Sequence, residues 1–294
     1  MRDRFRDVIV TGATVAVLTV LGSGTEASPG QAQGTGQPQA AYRAPRTADG
    51  QPDLNGVWEA LNTANWDLQG HNAQPSAFPE LLGALGAVPP GQGVVEGNEI
   101  PYQPWALAKK KENFAKRLAP AVFADVHERN GGDPEARCYM PGVPRATYMP
   151  FPFQIIQTPK TILIAYEYAN ASRTIYMNST ERSPTESWMG WSRGHWEGET
   201  LVVDVTDFND ATWFDRAGNF HSDALHVVER YTATSRYHLQ YDATIEDPKV
   251  FTRPWKISMP LYRRIDKSAQ VMEFHCVEFA EPLMYQTLIK KSSR

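Results

Sequence analysis

Residues 226–246 read HVVERYTATSRYHLQYDATIE, and their second half alternates without a break. Tyr237, Leu239, Tyr241, Ala243 and Ile245 take one set of positions; His238, Gln240, Asp242, Thr244 and Glu246 take the other. Successive side chains of a strand point to opposite faces, so this is a strand with one face on a core and one in water. HVVERYTAT pairs with it as a hairpin. Working outward, FPFQIIQTP (151–159) and KTILIAYEY (160–168) flank a turn near Pro159-Lys160, and SRTIYMN (172–178) follows. WMGWSRGHWEG (188–198) and ETLVVDVTDF (199–208) meet at Glu197-Gly198-Glu199, a short hairpin connection. FTRPWKISMPLYRRI (251–265) and SAQVMEFHCVEF (268–279) make the last expected pair. Successive strands joined by short turns favour neighbouring antiparallel pairing. Closing such a meander removes its edges and leaves an interior able to hold one small ligand. The expected fold is therefore mainly β, an antiparallel meander closing into a barrel, with an open two-sheet sandwich as the alternative.

Ahead of the strands, residues 60–103 are rich in Gly, Pro and Asn and read as an irregular arm. One helix is expected from about Trp105 to Leu118, where Leu107, Lys111, Phe114 and Leu118 recur at three- and four-residue steps between Pro104 and Pro120. The chain begins with a charged stretch, RDRFRD (2–7), then the uncharged VIVTGATVAVLTVL (8–21), then small residues through Ser28. That is the layout of a secretory signal. Its apolar run is shorter than the roughly 20 residues a membrane-spanning helix needs. The expected organisation is a leader and processing region over 1–33, a flexible linker over 34–50, and one barrel domain over 51–294. Within that domain the arm and helix fall in 59–135 and the strands in 150–280. The expected location is the periplasm or outside the cell, with no stable membrane span once the leader is removed.

A net charge of −4 and no Lys/Arg stripe with interleaved aromatics argue against nucleic-acid binding. Lys109-Lys110-Lys111 shares a helical pattern with Glu112 and reads as a solvated face. The 8 Trp, 12 Tyr and 12 Phe sit largely on alternating stretches, which suits a wide interior lined by aromatics. Only two cysteines occur, Cys138 and Cys276. In an oxidising compartment an even pair reads as a disulfide, here closing a loop of about 138 residues and worth at most roughly 5 kcal/mol. A free buried pair or a thiol nucleophile are the alternatives.

The segments PDLNGVW (52–58), GDPEARCYMPGVPR (132–145), PFPFQIIQTP (150–159), GHWEGETLVVDVTDFND (194–210) and TWFDRAGNFHSDALHVVERYT (212–232) together resemble a recurrent family of secreted bacterial proteins. The resemblance runs from about Pro52 to about Cys276 and implies no activity. Gly56-Val57-Trp58 also resembles the Gly-any-Trp motif on the first strand of lipocalins. That resemblance implies a lipocalin-like, calycin-type barrel with Trp58 closing its bottom.

No HExxH, GxSxG, Walker loop, dinucleotide-binding glycine pattern or CxxC is present, and no cofactor is expected. The densest chemistry is Trp213 to Asp223, continuing to His226 and Glu229. Within it Asp215, Arg216 and His221 supply a base, an anion holder and a proton shuttle. The structural alternative has Asp215 and Asp223 capping backbone amides and Arg216 pairing with a carboxylate. Glu167 and Arg173 flank a turn after Tyr166, as a mouth-facing ligand contact or a cross-strand ion pair. Trp191 and His195 share one face of a hairpin arm, and core packing is the simpler reading of the aromatics there. His221, His226 and Glu229 could also supply zinc or copper ligands, although no diagnostic metal spacing joins them.

Two functions follow. One is an acid–base enzyme (lyase, isomerase or hydrolase) acting on a small, largely apolar or aromatic ligand. In it His221, Asp215 and Glu229 move protons, Arg216 or Arg173 holds an anion, and Tyr166, Glu167, Trp191, His195 and Trp213 contact the substrate. The other is a non-catalytic carrier with the same pocket; an envelope-structural or interaction domain ranks below both. On the enzymatic reading, a solvated His221 six residues beyond Asp215 folds back onto that carboxylate. Its truncation would then abolish function and spare the fold.

Overall fold

The computed structural model describes residues 42–75, 87–117 and 132–275. The expected leader and Cys276 lie outside the described residues, so the Cys138–Cys276 cross-link stays an expectation. Nine strands form a closed barrel in chain order. They are β1 (Gly56–Glu59), β2 (Phe153–Gln157), β3 (Thr161–Tyr166), β4 (Ser172–Met177), β5 (Trp191–Glu197), β6 (Thr200–Thr206), β7 (His226–Ser235), β8 (His238–Glu246) and β9 (Trp255–Arg263). Among the described residues two α-helices accompany them, α1 (Pro104–Lys116) and a four-residue α2 (Arg145–Tyr148) that the sequence pattern does not announce.

The meander is not wholly antiparallel: β4 and β5 run parallel, Ile175 opposite Ser192. Residues 178–190 carry the chain back along the barrel between them. Closure comes from β1, which pairs antiparallel with both β2 and β9, Trp58 facing Phe153 and Arg263. Of the expected last strand partner for β9, the described residues 268–275 lie outside any strand. β1 takes that place because Trp58 anchors the seam. Its ring is fully buried, its Nε1 donates to Leu54 O at 2.9 Å, and the Arg263 guanidinium sits 4.2 Å from the ring centroid. A cation over an indole contributes about 0.5–2 kcal/mol, more as it is desolvated.

The alternation in β8 is realised over Leu239, Tyr241, Ala243 and Ile245, all fully buried. Tyr237, expected on the same face, is instead exposed, because the β7–β8 hairpin turns at Arg236-Tyr237 with Ser235 opposite His238. Tracing strand directions through the registers puts the turns 158–160, 198–199 and 236–237 at one end with Trp58. The connections 207–225 and 247–254 leave their strands at the other end, as does β1 into the residues that follow Glu59. Residues 42–50, expected as free linker, pack on the barrel: Ala44 is buried, Asp53 N donates to Pro45 O, and Arg46 pairs with Glu199.

The helix occurs where expected, but its docked face differs. Ala106 and Asn113 are buried, whereas Leu107 and Lys111 are exposed. The reason is a close backbone approach to Gly218, whose carbonyl accepts from Asn113 Nδ2 at 3.2 Å. Gly218 has φ +84°, and a Cβ there would meet Phe114 N at 2.8 Å and Lys110 O at 3.0 Å. Gly218→Ala is therefore expected to destabilise the protein by more than about 1 kcal/mol and to expose α1 to protease. An unchanged melting temperature and cleavage pattern would contradict this docking.

Candidate functional site

Inside the barrel, beneath the end that carries the long connections, a charge pair is sealed from water. Arg173 on β4 and Glu229 on β7 lie on the inward faces of their strands, as the burial of Ile175, Val227 and Tyr231 beside them requires. Arg173 Nη1 and Nη2 donate to the Glu229 carboxylate at 2.6 and 3.0 Å. Tyr231 Oη and Tyr241 Oη donate to Glu229 Oε1 at 2.9 and 2.8 Å, and Arg173 Nη1 also reaches Ser192 Oγ. Thr147 of α2 meets Tyr231 Oη at 3.5 Å from above. Burial works against the Arg173 charge, yet Glu229 more than offsets it and holds the guanidinium well above its ordinary value. Burial raises the hydroxyl of Tyr166 at the rim of this cluster, with Arg173 opposing.

The loop 207–225 forms a second buried network. Asp215 accepts from Leu68 N, Ala217 N, Asn219 N and Asn219 Nδ2. Burial first, then the neighbouring Asp67 carboxylate, pushes Asp215 up to about 7. Arg145 of α2 donates to Asp133, Glu135, Asn65 and the Trp213 carbonyl. Arg216 forks onto the same Glu135 at 2.7 Å and lies over the Trp66 ring. Burial raises Glu135, but Arg216 and Arg145 overcome it and bring the carboxyl down to about 2.

The expected constellation of His221, Asp215 and Glu229 is not brought together. His221 is 3% exposed rather than solvated, and its partners are Ser222 and Thr212. Because the Ser222 carbonyl only accepts, Nδ1 carries the proton and Nε2 accepts from Thr212 Oγ1. Burial depresses its pKa, so the ring is neutral. The reversal at Gly218 and Asn219 does occur, but Asn219, not the imidazole, returns to Asp215. Arg173 pairs with Glu229 rather than Glu167, which accepts instead from Met272 N. Trp213 is buried in the loop. Trp191, stacked on Tyr176 at 4.5 Å, and His195, paired with Glu197, belong to the outer face. His226 also faces outward, onto Asp204, so the metal set His221, His226 and Glu229 does not converge. Among the described residues no group of three or more His, Cys, Asp or Glu is placed to hold a metal.

Sequence reasoning missed Tyr231, Tyr241, Ser192 and Thr147. The usable signal was parity, since Glu229 and Arg173 share the register of apolar neighbours on otherwise buried faces.

The closed barrel fits the barrel part of the resemblance, apart from the parallel β4–β5 pair. No family model, curated protein or solved structure matches the chain.

Two outcomes test this description. His221→Ala empties a buried, fully bonded position and should cost about 2–4 kcal/mol, read as a lower melting temperature. A variant that melts like the parent would return His221 to the solvated mouth. The two perturbed carboxyls give opposite pH limbs. Glu135, lowered when folded, stabilises above about pH 4.5, and its contribution is lost as pH falls toward 2. Asp215, raised when folded, stabilises below about pH 4, and its contribution is lost as pH rises toward 7. In melts from pH 2 to 8, Glu135→Gln should flatten the acid limb and Asp215→Asn the slope between pH 4 and 7. Unaltered limbs would remove these groups as the titrating ones.

Proposed function

We propose that this protein is an exported small-molecule binding barrel, a carrier that takes an apolar or aromatic ligand into the end of the barrel beneath α2. The observation that carries the reading is the Arg173–Glu229 pair, with side chains 2% and 0% exposed. Breaking a buried pair costs about 3–5 kcal/mol, yet replacing both partners by apolar groups is often neutral or stabilising. Stability alone therefore does not explain a buried charge pair inside the barrel, and polar groups that converge among aromatic side chains typically orient a ligand. The ring of Tyr166, Tyr231 and Tyr241 around the pair supplies aromatic surface with polar handles.

One observation favours the catalytic reading as a second choice: Asp215, held near 7, has a proton to exchange at neutral pH. Its four donors come from the loop and arm, and it makes no hydrogen bond to the interior pair, so the binding reading is preferred.

Native mass spectrometry of the mature protein should show one noncovalent adduct per chain, and the uncharged fluorophore N-phenylnaphthylamine should bind saturably. Recovery of the captured molecule at unchanged mass supports carriage, and a changed mass turnover. Absence of both an adduct and saturable fluorophore binding would overturn the proposal.

A further inference from the structure

We infer that the outer face of α1 is a docking surface for an anionic phospholipid membrane, met by Trp105 and Leu107 with lysines around them. This adds an interaction surface to the binding reading above and does not depend on it. The helix packs on the barrel's covering loops through a small residue and a polar one. Ala106 and Asn113 are its buried residues, and Asn113 Nδ2 donates to the Gly218 carbonyl. Gln103 N, just ahead of the helix, donates to Val250 O in the loop 247–254. The large apolar side chains Trp105 and Leu107 face out instead, 55% and 42% exposed. Trp105 is braced against the Phe220 ring, centroids 6.1 Å apart, without being covered by it. At about 100° per residue, Pro104, Ala108 and Ala115 run down the middle of the solvent side, with Leu107 on one flank and Trp105 on the other. A surface helix ordinarily turns its apolar stripe to the core, so this one keeps an apolar strip in water.

The charge around that strip selects its partner. Lys109, Lys110, Lys111, Lys116 and the flanking Arg117 stand against Glu112 alone, in a chain whose net charge is −4. Glu112 pairs with Lys109 and Lys116, and Lys110 acts inward on the Asp67 carboxyl. Lys111 and Lys116 are exposed beside the strip. A face that is cationic and apolar together finds its complement in anionic headgroups over acyl chains, and a helix carrying Trp and Leu beside lysines lies in that interface. Lysine stems follow the apolar surface while the ammonium stays at headgroup level. A folded acidic protein ranks second, because protein interfaces are depleted in lysine. Among the described residues no helix is long and apolar enough to cross a membrane, so α1 lies on the surface and does not span it.

The test is flotation of the mature protein with vesicles. It should rise with phosphatidylcholine vesicles holding about one-third phosphatidylglycerol and not with phosphatidylcholine alone, and salt raised from about 0.05 to about 0.5 M should release it. Brominated lipid should quench the tryptophan emission, and Trp105→Phe, which keeps a ring against Phe220, should remove that quench. Lys111→Gln combined with Lys116→Gln should weaken vesicle binding about tenfold. Leu107→Gln should weaken it about fivefold. These side chains are exposed, so each variant should melt like the parent. No flotation at low salt, equal flotation on neutral vesicles, or variants that float undiminished would overturn the proposal. Soluble polyglutamate bound as tightly as vesicles, with Leu107→Gln silent, would assign the face to an acidic protein. Self-association abolished by Leu107→Gln would assign it to a second copy, and either result overturns the lipid surface. Vesicle binding without fluorophore uptake or a bound adduct would sink the carrier and leave this surface standing.

Discussion

A ring of strands can close only if the number of antiparallel neighbours around it is even. This barrel has nine neighbouring pairs, so at least one must be parallel, and the single exception is β4–β5. That constraint organises the rest of the molecule. It forces the chain through 178–190 back along the barrel, and it lets β1 and β9 meet antiparallel at Trp58 and Arg263. With the seam closed there, the tight turns gather at the Trp58 end. The connections long enough to carry structure of their own gather at the other, over the interior.

Two arginines divide the work at that end. Arg145 binds α2 to the segment 133–135, to the arm through Asn65 and to the loop 207–225 through the Trp213 carbonyl, so four separate stretches share one guanidinium. Every nitrogen of Arg145 is bonded, and its role is to hold the covering elements in place. Arg173 sits below them with its fork filled by Glu229 and Tyr231. The same side chain thus fastens the covering elements in one place and anchors a charge pair inside the barrel in the other.

The loop from Trp213 to Asp223 drew attention in the sequence because acid, base and guanidinium crowd within a few residues. Its chemistry is spent on architecture: Asp215 gathers backbone amides, Arg216 completes the Glu135 fork, and His221 bridges Ser222 and Thr212. Sequence proximity is a poor guide here because a tight loop must satisfy its own buried amides, and short polar side chains are the nearest acceptors. The interior pair is the opposite case. Arg173 and Glu229 are 56 residues apart, and no local pattern links them.

What the sequence by itself determined is whatever depends on neighbours along the chain. The period of two in 238–246, the hairpin turns at Gly198 and after Ser235, and the helix opening at Pro104 all follow from local backbone geometry, and all are present. Glu229 shares the parity of Val227 and Tyr231 on the buried face of β7. The tertiary structure alone decided which strand closes the ring, which pair runs parallel, which face of α1 docks, and which charges meet inside. Each of these is a contact between segments far apart in the chain. Register fixes the face a side chain points to, but ring closure fixes what stands opposite it.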